Sequence, residues 1–104
     1  MLPKRGEIWW ADLGMVAKYR PVVVVSVDYS DRDYALITVV PHTTSPRGAA
    51  FEVELDIHQL KPGSFNLQGI LSIPPRVFEK RITVLSDDQL GDLEDAIKVW
   101  LGIS

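Results

Sequence analysis

Four consecutive valines, Val22–Val25 in "KYRPVVVVSVD" (residues 18–28), restrict this chain more than any other feature. Successive side chains of a strand point to opposite faces, so an unbroken apolar run needs cover on both sides. A sheet with cover on both faces must therefore be found within a chain of 104 residues. That length makes a single domain, residues 1–104, able to bury roughly 65% of its unfolded surface. At the mouth of the valine strand stands a charge, Arg20, between Tyr19 and Pro21.

Further strands are expected around this one. "GEIWWADL" (6–13) alternates, with Ile8 and Trp10 on one side and Glu7, Trp9 and Ala11 on the other. "LGMVAKY" (13–19) reads as a loop carrying two apolar residues that fold over the body. The polar turn "DYSDRD" (28–33) leads into "YALITVV" (34–40), which Pro41 is expected to end, followed by a long loop, "HTTSPRGAA" (42–50). "FEVEL" (51–55) alternates like an edge strand. After the turn "KPGS" (61–64), "FNLQGILSI" (65–73) reads as a fifth strand stopped by Pro74 and Pro75, and "EKRITVL" (79–85) as a closing one.

The period then changes. In "SDDQLGDLEDAIKVWLG" (86–102), Leu90, Leu93, Ile97, Trp100 and Leu101 share a helical face. Ser86 and Gln89 form a capping box, Asp87 and Asp88 suit the helix dipole, and Gly102 suits the residue after its end. Short strands followed by one helix predict an α+β, mostly β fold: a small, strongly bent antiparallel barrel with a C-terminal helix.

Composition narrows function. No cysteine is present, which removes disulfides and thiolate zinc sites and suits a reducing, cytoplasmic setting. "MLPKRGEIWW" has no signal-peptide core, and no apolar run reaches the ~18 residues of a membrane span. With a net charge of −3, binding to a polyanion must rest on a local patch.

If the second and third strands pair as a hairpin, Arg20 and the Thr43–Thr44 pair meet at one end of the sheet. A guanidinium beside hydroxyls binds a phosphodiester well. His42 and Arg47 lie in the same loop and could supply a titrating group and further charge. Each also has a plainer reading, as a solvated charge or as turn chemistry. Arg76, Lys80 and Arg81 read as a solvated face or as the lining of a backbone-binding groove. The scattered aspartates lack the spacing of a metal site, and no cofactor motif is present.

Taken in order, "RGEIWWADL", "YRPVVVVS", "VVPHTTS" ahead of "FEVEL", and "LSDDQLGDLEDAIKVWLG" resemble the MazF/PemK family, over nearly the whole chain. The resemblance implies an SH3-like barrel of the plasmid-maintenance toxin kind and the toxin of a type II toxin–antitoxin system. Such a toxin is a homodimeric, cytoplasmic, metal-independent endoribonuclease that cuts single-stranded RNA. Attack by a ribose 2′-OH would leave 2′,3′-cyclic phosphate and 5′-OH ends. The family's arginine falls on Arg20 and its threonine on Thr43 as catalytic residues. His42 and Thr44 are additional candidates for catalysis or binding. Lys18, Arg47, Gln68 and Arg76 are expected to bind RNA.

An antitoxin with an acidic, disordered tail is the expected protein partner. Members of the PemK/Kid type carry an arginine and an aspartate just before a glutamine. Here "FNLQ" puts Phe65 and Leu67 in those places, so the sequence leans to the MazF-type Arg–Thr arrangement. Two alternatives share the barrel: a CcdB-like gyrase poison, whose terminal Trp-Gly-Ile is echoed by "VWLGIS", and a binding module without catalysis.

Overall fold

The computed structural model describes residues 2–14 and 19–103. Among them are seven strands: β1 (Glu7–Asp12), β2 (Tyr19–Val24), β3 (Ile37–Thr43), β4 (Glu52–Val53), β5 (Ser64–Asn66), β6 (Leu71–Ile73) and β7 (Phe78–Val84). One helix, α1 (Asp87–Leu101), follows. Every pairing is antiparallel, in the order β4-β5-β3-β2-β1-β7, with β6 also on β3. β3 pairs with β6 over Ile37–Val39 and with β5 over His42–Thr43, so it carries the bend of the sheet.

The valine run divides as its pattern requires. Val23, with Val25 partly buried, joins Ile8, Val40, Phe65, Leu67 and Leu93 in the core under α1. Val22 and Val24 join Ala11, Ile37, Val39 and Ile73 in a second core on the other face. Burying each valine contributes about 1.5–3 kcal/mol before ordering costs. The helix begins as expected. Ser86 Oγ accepts from Gln89 N (3.2 Å), and Ser86 N donates to Gln89 Oε1 (3.0 Å). Gly102 closes it in the left-handed region at φ 70°.

Two local expectations are corrected. The segment 65–73 is not one strand, because a 3-10 turn over Leu67–Gly69 separates β5 from β6. Pro41 does not end β3, which begins only at Ile37 and runs through the proline to Thr43. Pro41 lies between the stretches paired with β6 and β5, where the ladder on that edge is interrupted. Gly69 packs against the Pro41 ring so closely that a Cβ there would stand 2.9 Å from Pro41 Cγ. The alternation of β1 holds, with Ile8 in the core under α1 and Trp9 and Ala11 on the second core, while β7 skips Ile82 and Glu79 in its pairing with β1. Trp10, on the opposite face from the fully buried Ala11, is 41% exposed.

Among the described residues, no helix is long and apolar enough to cross a membrane.

Candidate active site

β2 and β3 pair with Val22 opposite Pro41 and Val23 opposite Val40. The same register carried two residues further brings Arg20 opposite Thr43. Alternation then places Arg20 on the face of Val22 and Val24, and Thr43 on the face of Val39 and Pro41. Those valines belong to one core, so Arg20 and Thr43 emerge on the same side of the sheet. The half-buried Arg20 donates from Nη1 to the main-chain oxygen of His42 at 3.3 Å, which fixes one arm of the guanidinium. Thr43 Oγ1 accepts from Ser45 N at 3.1 Å. The threonine's own O–H is thereby left to donate elsewhere.

Both residues line an open cavity of about 670 Å³, a size that suits a small-molecule or nucleotide ligand. Arg20, Thr43, Ser45 and Arg47 supply cationic and hydroxylic groups to its lining. Asn66 and Gln68 add amides to the wall, and Asn66 Oδ1 accepts from Gln68 N at 3.1 Å. Pro41, Leu71 and Leu13 supply apolar surface against which a base could lie. Sequence reasoning did not single out Asn66. Its neighbours Phe65 and Leu67 are fully buried, so alternation along β5 would have turned it outward.

Glu52 was missed as well. Its carboxylate accepts from Arg47 N at 3.1 and 3.0 Å and from Ala49 N at 2.8 Å. These main-chain donors hold its pKa below the ordinary glutamate value.

The remaining candidates fall differently. His42 was expected beside Thr43 as a proton carrier, but β3 extends past it and turns its ring to the opposite face. There it is 4% exposed, edge-on to Phe65 at 5.1 Å between centroids. Nδ1 is buried with no hydrogen-bond partner. What His42 offers Arg20 is its carbonyl, so a proton-carrying role for the ring is not what the geometry favours. Thr44 and Arg76 are exposed and do not line the cavity. Arg76 sits on the 3-10 turn Pro75–Val77. Lys18 and the two apolar residues of the 13–19 loop lie outside the described residues, although Leu13 and Gly14 reach the cavity rim. Among the described residues, no three His, Cys, Asp or Glu side chains come together as a metal site. Trp100, read against a gyrase poison's terminal motif, packs its ring on Phe51 at 4.8 Å.

Burial first, and the Arg20 charge second, push the His42 pKa below 6.5. A depressed pKa in the folded state means that the unfolded chain binds the proton more readily. The stabilising contribution is complete above about 6.5 and is lost as pH falls towards the folded value. The urea midpoint is therefore expected to drop between about pH 7 and 5.5. This slope should flatten in His42→Gln whatever that variant's absolute stability.

Comparison with known proteins identifies the family and the fold. Residues 4–101 match the model of a family described as the PemK-like, MazF-like toxin of type II toxin–antitoxin systems. A relative named probable endoribonuclease MazF5, from Mycobacterium tuberculosis, is 34% identical, covering 99% of this chain and 96% of its own. The Mycobacterium tuberculosis toxin MazF-mt6 superposes with a TM-score of 0.78 at 28% identity, over 94% of this chain and 98% of that one. A MazE–MazF crystal structure from Deinococcus radiodurans gives a TM-score of 0.81 at 24% identity, over 100% and 99% of the two chains, and bears on the fold. With a family match over nearly its whole length, and Arg20 and Thr43 lining the cavity, the chain belongs to the PemK-like, MazF-like toxins of type II toxin–antitoxin systems.

Proposed function

We propose that the chain is an endoribonuclease toxin that cuts single-stranded RNA in the cytoplasm, with Arg20 and Thr43 as its catalytic residues. The observation that carries this reading is that the two side chains share one face of the sheet and line the same cavity. The family match and the relative named an endoribonuclease support it.

The chemistry follows from what these groups can do. As the 2′-oxygen attacks the adjacent phosphorus, negative charge grows on the non-bridging oxygens. The guanidinium arms of Arg20 not held by the His42 carbonyl can take that charge in a fixed geometry. Thr43 donates its O–H to the same phosphate, because its oxygen already accepts from Ser45 N. The bond to O5′ breaks; the proton lost from the 2′-OH passes to solvent water and O5′ takes one from it, leaving a 2′,3′-cyclic phosphate and a 5′-OH. This sequence uses no metal and no cofactor. Arg47, Asn66 and Gln68 would hold the flanking nucleotide, the amides towards a base edge and Arg47 towards a phosphate.

The working form is a homodimer. Its protein partner is an antitoxin whose acidic, disordered tail presents carboxylates to the same cations. Similar solved structures include MazE–MazF complexes and an endoribonuclease with its cognate antitoxin.

The test is cleavage of a long single-stranded RNA in EDTA. The rate should be unchanged by the chelator. Thr43→Val keeps the shape but removes the hydroxyl, and should slow cutting by about ten- to a hundredfold, the worth of one hydrogen bond to a charged group. A Thr43→Val rate equal to wild type would remove Thr43 from the chemistry.

A further inference from the structure

Glu52 is an anion on the wall of a cavity whose proposed ligand is a polyanion. Simple electrostatics makes it an obstacle. Its hydrogen bonds suggest another purpose, because the carboxylate faces main-chain donors. Arg47 N reaches both of its oxygens and Ala49 N reaches one. Gly48 between them lies at φ 72°, a backbone conformation that lets neighbouring amides converge on one anion. The other end of the loop is held where Ser45 N donates to Thr43 Oγ1. Glu52 itself is anchored, since it pairs with Asn66 across β4 and β5, and the Asn66 side chain holds the turn that carries Gln68.

We propose that Glu52 is a positioning residue for RNA cleavage. By drawing the amides of Arg47 and Ala49 onto its carboxylate, it fixes the loop that brings Arg47 to the cavity. It acts through Arg47, on how RNA is gripped. The proposal rests on the ribonuclease reading and deepens it.

The experiment is steady-state cleavage of a short single-stranded RNA by wild type, Glu52→Gln, Glu52→Ala, Arg47→Ala and the Glu52→Ala/Arg47→Ala double variant, at several salt concentrations. Glu52→Ala should raise KM about five- to tenfold with kcat within about twofold, and should flatten the salt dependence by the share of one phosphate contact. Glu52→Gln keeps one acceptor oxygen and should fall between. The double variant should bind no worse than Arg47→Ala alone. Amide exchange at residues 47 and 49, measured without RNA, should speed up in Glu52→Ala.

An unchanged or lower KM in Glu52→Ala would overturn the proposal, the second because it is what relief of simple repulsion gives. Full additivity with Arg47→Ala would overturn it as well, as would unaltered amide exchange. A wild-type chain that cuts no RNA would end the ribonuclease reading and this inference with it. A wild type that cuts while Glu52→Ala keeps its KM would end this inference alone.

Discussion

Arg20→Ala is expected to lower RNA cleavage by about a hundred- to a thousandfold, the loss seen when one preorganised charge-stabilising donor is removed from an active site. Arg20 is half-buried at the end of β2, and the hydrogen bond it makes goes to an adjacent carbonyl, so no packed core depends on it. The variant should therefore melt within a few degrees of wild type, and circular dichroism beside the cleavage assay checks both statements. Arg20→Lys restores the charge but not the planar fork, and should recover only part of the rate. The proposed role gives a reason for an arginine at the mouth of a valine strand. Val22 and Val24 are 0% and 1% exposed, so the strand that launches the guanidinium is packed tightly on that face. Pro21 further limits its direction. Rigid support for a charge-stabilising group is what such a site needs.

Gly63→Ala should be nearly as damaging by another route. A Cβ at this position would lie 2.0 Å from the Thr43 carbonyl oxygen and 2.8 Å from His42 Cε1. The first of these atoms is backbone, so no rotamer change relieves the clash; β3 or the 61–64 turn must move. We expect a loss of about 2–4 kcal/mol in urea unfolding. Cleavage should fall by more than the unfolded fraction explains, because a displacement of about 1 Å at Thr43 costs catalysis steeply. A Gly63→Ala protein with wild-type stability and rate would show that the close approach between this turn and β3 is not required.

These two residues mark what could be read from the sequence and what could not. The meeting of Arg20 and Thr43 was legible because antiparallel pairing forces the start of one strand beside the end of the next, and a buried valine run is hard to misplace. The helix was legible because both of its ends carry local chemistry: Ser86 with Gln89 at one, Gly102 at the other. Gly63 looked like a turn glycine. Its actual constraint is a contact with residues some twenty positions earlier, which no local pattern encodes.

The loop position expected for His42 is corrected for a related reason. Taking Pro41 as the end of the strand put His42 in a loop, where its ring could point anywhere. Once β3 is seen to continue to Thr43, alternation turns the ring into the core under α1. The 65–73 segment read as one strand because "FNLQGILSI" is continuously compatible with β structure. Its break arises where Gly69 packs on Pro41, a tertiary contact. Glu52 sits in "FEVEL", where alternation explained its exposure but not its hydrogen bonds, since the acceptor's partners are main-chain groups that every residue carries.

The most direct test of the central claim is the chemistry of the cut ends. Purified protein is incubated in EDTA with a single-stranded RNA, and with the same RNA bearing a 2′-deoxynucleotide at the mapped cleavage position. Cutting of the first to 2′,3′-cyclic phosphate and 5′-OH ends, with the deoxy site left intact, is the predicted result. Cutting at the deoxy position, or fragments ending in 5′-phosphate, would contradict attack by the neighbouring 2′-oxygen and the roles given to Arg20 and Thr43.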